Sequence, residues 1–298
     1  MWRPDGSDLR PWKIGVLISP KVKMEPLRIG FLGGGAMCEA ILRGLLDKKV
    51  VQSSDVWVSD VAESRLEVMR GLGVNATANG RKVVEKASVI LLAVKPDTVP
   101  EVLRDVHDLI KQSQLLVSIC AGVPLQALED LVPDGVAVVR VMPNTPCLVG
   151  AAGSAYALGK NASLANHANI VEAIFGAVGL TVRVPEKLLD AVTGVSGSGP
   201  AYVFMFMEAL ADGGVCAGLP RDIAKKLAVQ TVYGSAKMAM ENENMHLAEL
   251  RNRVESPGGT TIAASRALEA NSFRATVIGA VMAAAQRSAE MRTKPSPF

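Results

Sequence analysis

The sequence predicts an α/β fold in which a doubly wound, largely parallel sheet is followed by an all-α C-terminal domain. Three features of the 298-residue chain predict it. From residue 28, short apolar runs rich in β-branched residues alternate with amphipathic stretches, the pattern of parallel strands covered by helices on both faces. The first run leads through a glycine cluster into a helical pattern, "RIGFLGGGAMCEAILRGLL". After about residue 187 the β-branched runs stop, and long apolar stretches at helical spacing replace them.

Taken in order, residues 1–27 precede the first strand and carry four prolines and mixed charge. They read as a disordered tail, with Met24 as an alternative start. Mitochondrial targeting segments are poor in acids, whereas this stretch holds Asp5, Asp8 and Glu25. The cytoplasm is the expected compartment, with the mitochondrion left open. Strands follow at "RIGFL", "DVWVS", "VILLAV", "LLVSIC" and "VAVVRV", separated by helices over 36–47, 62–72, 97–112 and 124–132. The runs "AAGSAYAL" and "LTVRV", around a helix over 163–178, extend the sheet at one edge. This gives a sheet domain over 28–187 and a helical domain over 188–298. The helical domain is broken at "SGSGP", "AGLP", "ENENMH" and "SPGGT". Its helices, such as "ATVIGAVMAAAQRSAEM", are apolar on more than one face, which requires several packing neighbours, a second copy of the chain among them.

Composition removes several function classes. With 49% hydrophobic side chains the chain can bury a sizeable core. The net charge is only +3, opposite charges are interspersed, and aromatics make up 4%, so neither a basic stripe nor a stacking surface for nucleic acid is present. Cys38, Cys120, Cys147 and Cys216 lie far apart without a C-x-x-C pair and read as reduced, mostly buried thiols. The apolar stretch "AYVFMFMEALADGGVCAG" is interrupted by Glu208 and Asp212, well short of a membrane span. His107, His167 and His246 show no ligand-like spacing, and no metal site is expected.

The glycine cluster carries the first chemistry. Gly33 permits a tight turn, Gly35 lets the backbone approach a pyrophosphate, and Ala36 and Met37 open the positive end of the helix. Cys38 stands at the third small position, where glycine or alanine is usual. A glycine pattern alone is weak evidence, but on the first strand of a β–α–β series it indicates a dinucleotide site of the Rossmann type. The second strand ends at Ser59 and Asp60, near where a carboxylate holds the adenosine ribose of NAD; Ser59 and Arg65 would instead suit the 2′-phosphate of NADP. Asp60 as a cap of the next helix is a third reading. NADH and NADPH both stay open. Val94, Lys95 and Pro96 close another strand, and Ala121, Gly122, Pro143 and Asn144 close the next two. Small and polar residues at successive strand ends line a shared cleft, although each is also an ordinary turn.

The second chemistry lies in "ESPGGTTIAASRALE". Ser256 can cap the helix that follows, Pro257 can enter its first turn, and the glycines expose amides that no helical carbonyl uses. Such amides at a positive helix end attract an anion. A small carboxylate substrate would dock on Gly258, Gly259, Thr260 and Thr261; a well-capped surface helix is the alternative. "SGSGP" is no nucleophile elbow and reads as a hinge or helix start with Ser198 as a cap.

"FLGGGAMCEAI", "AVKP", "SICAGV", "RVMPNTP", "TGVSGSGPAYVFMFMEALADGGVCAGLP" and "ESPGGTTIAASRALE" together resemble the motifs of the pyrroline-5-carboxylate reductase family, over nearly the whole chain from Arg28 to about Met291. The resemblance implies NAD(P)H-dependent reduction of 1-pyrroline-5-carboxylate to L-proline, the final step of proline biosynthesis. It implies a Rossmann domain holding NADPH or NADH and a helical substrate-binding domain that forms a homodimer, with assembly into a decamer left open. It places the substrate carboxylate against Ser256 to Thr261, Asn79 near the adenosine ribose, and Ser198 to Ala201 near the nicotinamide and substrate. Cys38 departs from the family's usual small residue.

The implied reaction is hydride transfer to the carbon of a protonated C=N bond, which demands no acid with a strongly shifted pKa. Thr261 or a bound water is the candidate contact for the ring nitrogen, Ser198 is the other catalytic candidate, and Glu241 and Glu243 are weaker ones. A β-hydroxyacid dehydrogenase relative would need a catalytic lysine; Lys187, Lys225, Lys226 and Lys237 are present, but none sits in such a motif. A non-catalytic nucleotide-binding protein would not need the second glycine-rich helix start.

Overall fold

The structure is a computed structural model that describes residues 27–293; the remainder of the expected tail, 1–26, lies outside the described residues. Two compact units divide them: residues 27–200 with 280–293, and Ala201–Gly279.

In the first unit the strands are β1 (Ile29–Leu32), β2 (Val56–Ser59), β3 (Asn75–Thr77), β4 (Val89–Leu92), β5 (Leu115–Ser118), β6 (Ala137–Met142), β7 (Ala152–Leu158) and β8 (Gly179–Arg183). They form one sheet in the order β3-β2-β1-β4-β5-β6-β7-β8. Every pairing is parallel except that of β6 with β7. Ile29 stands opposite Val56 on one side and Val89 on the other. The two-residue period of each strand sends alternate side chains into two cores. Ile29, Phe31, Val58 and Leu91 fill one, while Leu32, Ile90, Leu92 and Leu116 fill the other.

Helices α1 (Ala36–Asp47), α2 (Glu63–Gly71), α3 (Gly80–Lys86), α4 (Val99–Val106), α5 (Leu125–Glu129), α6 (Asn169–Gly176) and α7 (Leu189–Val192) cover both faces. Ile41 and Leu45 of α1, Met69 of α2 and Ile174 of α6 close the first core. Val83 of α3, Leu103 of α4, Leu128 of α5 and Leu189 of α7 close the second. Each of the larger side chains contributes about 1.5–3 kcal/mol on burial, so the strand ends that carry the candidate site rest on a rigid base. This is the doubly wound sheet expected. Two details differ. β3 has the sequence Asn-Ala-Thr and no apolar run to announce it; it forms by adding an edge to β2. The helix expected over 97–112 is shorter, because 3₁₀ turns at Pro96–Thr98 and His107–Leu109 bracket α4, as Pro96 and Pro100 favour.

Leu27, the last residue assigned to the tail, already packs on the first core. After α7 a π-helical turn, Thr193–Gly197, leads into α8 (Gly199–Cys216). It is followed by α9 (Arg221–Glu241), α10 (Leu247–Asn252), α11 (Thr260–Ala270) and α12 (Phe273–Thr293). Residues 280–293 of α12 belong to the sheet unit. There the buried Ser288 hydroxyl donates to Asp190 Oδ1 at 2.8 Å, and a side chain on Gly194 would meet the Val281 carbonyl at 2.5 Å.

The second unit has a small interior of its own: Ala211, Ala224 and Ala228 are buried with Val215 against them, and Phe206 packs on Phe273 with ring centres 6.0 Å apart. Phe204, Met205, Tyr233 and Ile278 are each at least 60% exposed. Among the described residues, no helix is long and apolar enough to cross a membrane.

Candidate functional site

The glycine turn after β1 is built around close backbone approach. Gly33 has φ +101°, and a Cβ there would lie 2.5 Å from the Ala93 carbonyl oxygen. Its N–H donates to the Ser59 carbonyl at 2.8 Å. Gly35, the N-cap of α1, has φ −67° and ψ −176°; no side chain caps the helix, and a Cβ at this position would enter open space. The first amides of α1, including those of Ala36 and Met37, therefore face outward with the positive end of the helix dipole. This is a cradle of the shape and charge that a pyrophosphate fills.

Asp60 is half-buried beside that turn. Its Oδ2 accepts from the Gly34 N–H at 2.7 Å and its Oδ1 from the Ala62 N–H at 2.9 Å. The N-cap of α2 is Ala62, so Asp60 braces the glycine turn instead of capping the helix. Arg65 completes the brace. Its Nε donates to the Gly34 carbonyl and its Nη2 to Glu39 Oε2, both at 2.7 Å. Arg43 holds the other oxygen of Glu39 at 2.8–2.9 Å. Hydrogen bonds from Arg65 and then Arg43 keep the Glu39 carboxyl below its ordinary range. Glu39 and Gly34 were not singled out from sequence, although the i,i+4 spacing of Glu39 and Arg43 was the available signal. Ser59 is 7% exposed and donates its hydroxyl to the Phe31 carbonyl. Asn79 is exposed and caps α3, its side-chain oxygen accepting from the Arg81 and Lys82 amides.

The other strand ends meet by short polar links. Val94 is half-buried, and Lys95 and Pro96 are exposed at the exit of β4. The Cys120 thiol donates to the Val94 carbonyl at 3.2 Å; burial pushes that thiol's pKa up. Ala121 is half-buried, and Gly122 has φ +76° with Met291 packed beside it. Asn144, 8% exposed, donates through Nδ2 to the Ser196 carbonyl at 3.0 Å and accepts through Oδ1 from Gly153 N–H at 2.9 Å. It thus ties the exit of β6 to the start of β7 and to the π-helical turn. Ser198 is half-buried at the end of that turn, its N–H donating to the Thr193 carbonyl. The hinge-or-helix-start segment is in fact the start of α8. Cys38 is fully buried in the first core, with its thiol pKa raised by that burial.

The second glycine-rich motif lies in the helical unit. Here the N-cap of α11 is Gly259, with no side chain capping it. Ser256 does not cap and Pro257 does not open the helix. They form a turn in which the Gly259 N–H donates to the Ser256 carbonyl at 3.0 Å, because Gly258 takes φ +66° and reverses the chain. A Cβ on Gly259 would collide with Ser256 Oγ, whereas one on Gly258 would meet nothing. The first amides of α11, at Thr260 and Thr261, consequently lack a side-chain acceptor, and Thr261 is half-buried beside them. Such a helix start binds a carboxylate or phosphate by dipole and N–H donation. Glu241 is exposed and pairs with Lys237, and Glu243 is exposed. Among the described residues no cluster of His, Cys, Asp and Glu could hold a metal ion.

Fold and site together define a Rossmann-type dinucleotide-binding protein joined to a helical unit. The family model for pyrroline-5-carboxylate reductase dimerisation matches residues 186–291, and that for coenzyme F420-dependent NADP oxidoreductases matches 28–122. A pyrroline-5-carboxylate reductase of Methanosarcina acetivorans is 44% identical over 272 residues, covering 91% of this chain and 100% of the relative. The solved pyrroline-5-carboxylate reductase of Coxiella burnetii superposes with a TM-score of 0.85 at 33% identity, covering 91% of this chain and 100% of that one. The Plasmodium falciparum pyrroline carboxylate reductase, solved with NADP bound, gives 0.81 at 34% identity, with the same coverage. The chain belongs to the pyrroline-5-carboxylate reductase family.

Proposed function

We propose that this chain reduces 1-pyrroline-5-carboxylate to L-proline with NADPH or NADH, the last step of proline biosynthesis. The observation that carries the reading is the uncapped start of α11, an anion site on a chain whose family acts on a carboxylate-bearing imine. When bound, the reduced nicotinamide supplies the hydride that adds to the C=N carbon. The chain's own residues bind and orient. The amides of Gly35, Ala36 and Met37 hold the pyrophosphate, with Gly33 shaping the turn. Ser59, Asp60 and Asn79 border the adenosine end; Val94, Lys95, Pro96, Ala121, Gly122 and Asn144 form the rim on which the cofactor lies. Ser256, Gly258, Gly259, Thr260 and Thr261 hold the substrate carboxylate. In this reading the Thr261 hydroxyl would contact the ring nitrogen, and Ser198 is the second catalytic candidate. The product amine keeps the nitrogen's proton, so positioning and charge carry the catalysis.

The same reading assigns 28–187 to cofactor binding and 188–298 to substrate binding and dimerisation. The many large apolar side chains exposed on the helical unit support a homodimer that would cover them; a decamer is the larger assembly this dimer would build. The cytoplasm is the assigned compartment, with the mitochondrion as the alternative. The test is loss of reduced-nicotinamide absorbance when purified protein meets 1-pyrroline-5-carboxylate with NADH or NADPH, with proline identified as product. Folded protein that oxidises neither cofactor would remove the proposed reaction.

A further inference from the structure

Discrimination between the two nicotinamide dinucleotides rests on a 2′-hydroxyl or a 2′-phosphate at the adenosine ribose, next to the end of β2. That end holds one fixed anion, Asp60, anchored by the Gly34 and Ala62 amides. Its neighbouring hydroxyl, Ser59, is buried and donates into the sheet. The cation that packs on the glycine turn is Arg65, and two acceptors already hold it, the Gly34 carbonyl and Glu39. Glu39 is itself fixed by two hydrogen bonds from Arg43, so its carboxylate is positioned for Arg65 before any ligand arrives. A 2′-phosphate would meet the Asp60 charge and would have to draw Arg65 off both partners, whereas a 2′-hydroxyl would donate to the remaining lone pairs of Asp60.

We infer that Glu39 is a specificity-determining residue: by latching Arg65 to the glycine turn it withholds the guanidinium from a 2′-phosphate and makes the site favour NADH over NADPH. Glu39 touches no ligand in this scheme and acts through Arg65. The inference rests on the proposed cofactor site at the start of α1 and is independent of which imine is reduced.

The test is calorimetric titration of the full-length protein with NAD⁺ and with NADP⁺, without substrate. Wild type is expected to bind NAD⁺ the more tightly. Glu39→Gln keeps the side chain's shape and removes the charge that holds Arg65. It is expected to shift the affinity ratio towards NADP⁺ by about two- to fivefold, the worth of one partly exposed charge pair. Removing a negative charge near the pyrophosphate strengthens both dinucleotides, which is why the ratio is the readout. Arg65→Met added to Glu39→Gln should erase the shift, closing a double-mutant cycle. Glu39→Ala, which removes the same partner of Arg65, gives the same readout if Glu39→Gln folds poorly. Wild type favouring NADP⁺, a Glu39→Gln ratio equal to that of wild type, or a shift that survives Arg65→Met would overturn the inference. A chain that shows the expected ratios yet does not reduce the imine would leave the latch standing and remove the reaction.

Discussion

Gly33 and Gly35 sit two residues apart and predict opposite phenotypes. At Gly35 the backbone is φ −67°, ψ −176°, and a Cβ would meet nothing within 4 Å. Alanine fits this conformation and restricts the unfolded chain, but it is a poorer N-cap than glycine, so Gly35→Ala should change stability by less than about 1 kcal/mol. The methyl group would stand where a pyrophosphate must reach the α1 amides. Losing that close approach should cost about 1.5–3 kcal/mol of cofactor binding, about ten- to a hundredfold in Kd. At Gly33 the reverse holds. φ is +101° and the Cβ would lie 2.5 Å from a backbone carbonyl of β4's exit. Gly33→Ala should therefore destabilise the fold by about 2–4 kcal/mol, from left-handed strain plus a forced backbone shift. Urea unfolding and NADH titration of both variants separate the effects. If Gly35→Ala binds NADH as wild type does, the start of α1 is not the pyrophosphate site, and the inference drawn from its uncapped amides fails.

Three further outcomes follow from the same geometry. Thr261→Ala should raise the KM for the imino acid or lower kcat, with NADH affinity within about twofold of wild type; unaltered kinetics would remove Thr261 from the site. Asp60→Ser should shift preference towards NADPH by removing a charge that repels the 2′-phosphate, and should also weaken both cofactors, because Gly34 loses its 2.7 Å acceptor. An unchanged preference ratio would leave Asp60 as a brace alone. Ser288→Ala removes the buried hydrogen bond to Asp190 Oδ1 and should destabilise the protein by about 1–3 kcal/mol; a urea midpoint equal to that of wild type would show that this bond does not hold the 280–293 segment.

The legible part of the protein was that carried by local chemistry. "RIGFL" reads as β1 because both faces of a central parallel strand are apolar, and the glycines beyond it announce a turn that only a residue without Cβ can make. The uncapped start of α11 was partly legible. The surplus of glycine and threonine was visible, but Ser256 was read as its cap. A cap is an arrangement in space, and the left-handed turn at Gly258 makes Gly259 the N-cap, with Ser256 Oγ beside it but bonded to no helix amide. Asn144 was read as a rim residue from its place after a strand, whereas its two hydrogen bonds run to Ser196 and Gly153, positions that sequence distance hides.

By itself, the sequence determined the alternation of buried strands and amphipathic helices, the glycine turn, and the helical character of everything after about residue 187. Each depends on periodicity or on the steric limits of single residues, which neighbouring residues suffice to express. Tertiary structure decided that β3 joins the sheet, that β7 runs antiparallel to β6, and that Ser288 returns to Asp190. It also decided that Asp60, Arg65, Glu39 and Gly34 form one brace. Those outcomes depend on which distant groups satisfy one another's hydrogen bonds once burial has removed water as a partner, and only the folded chain brings those groups together.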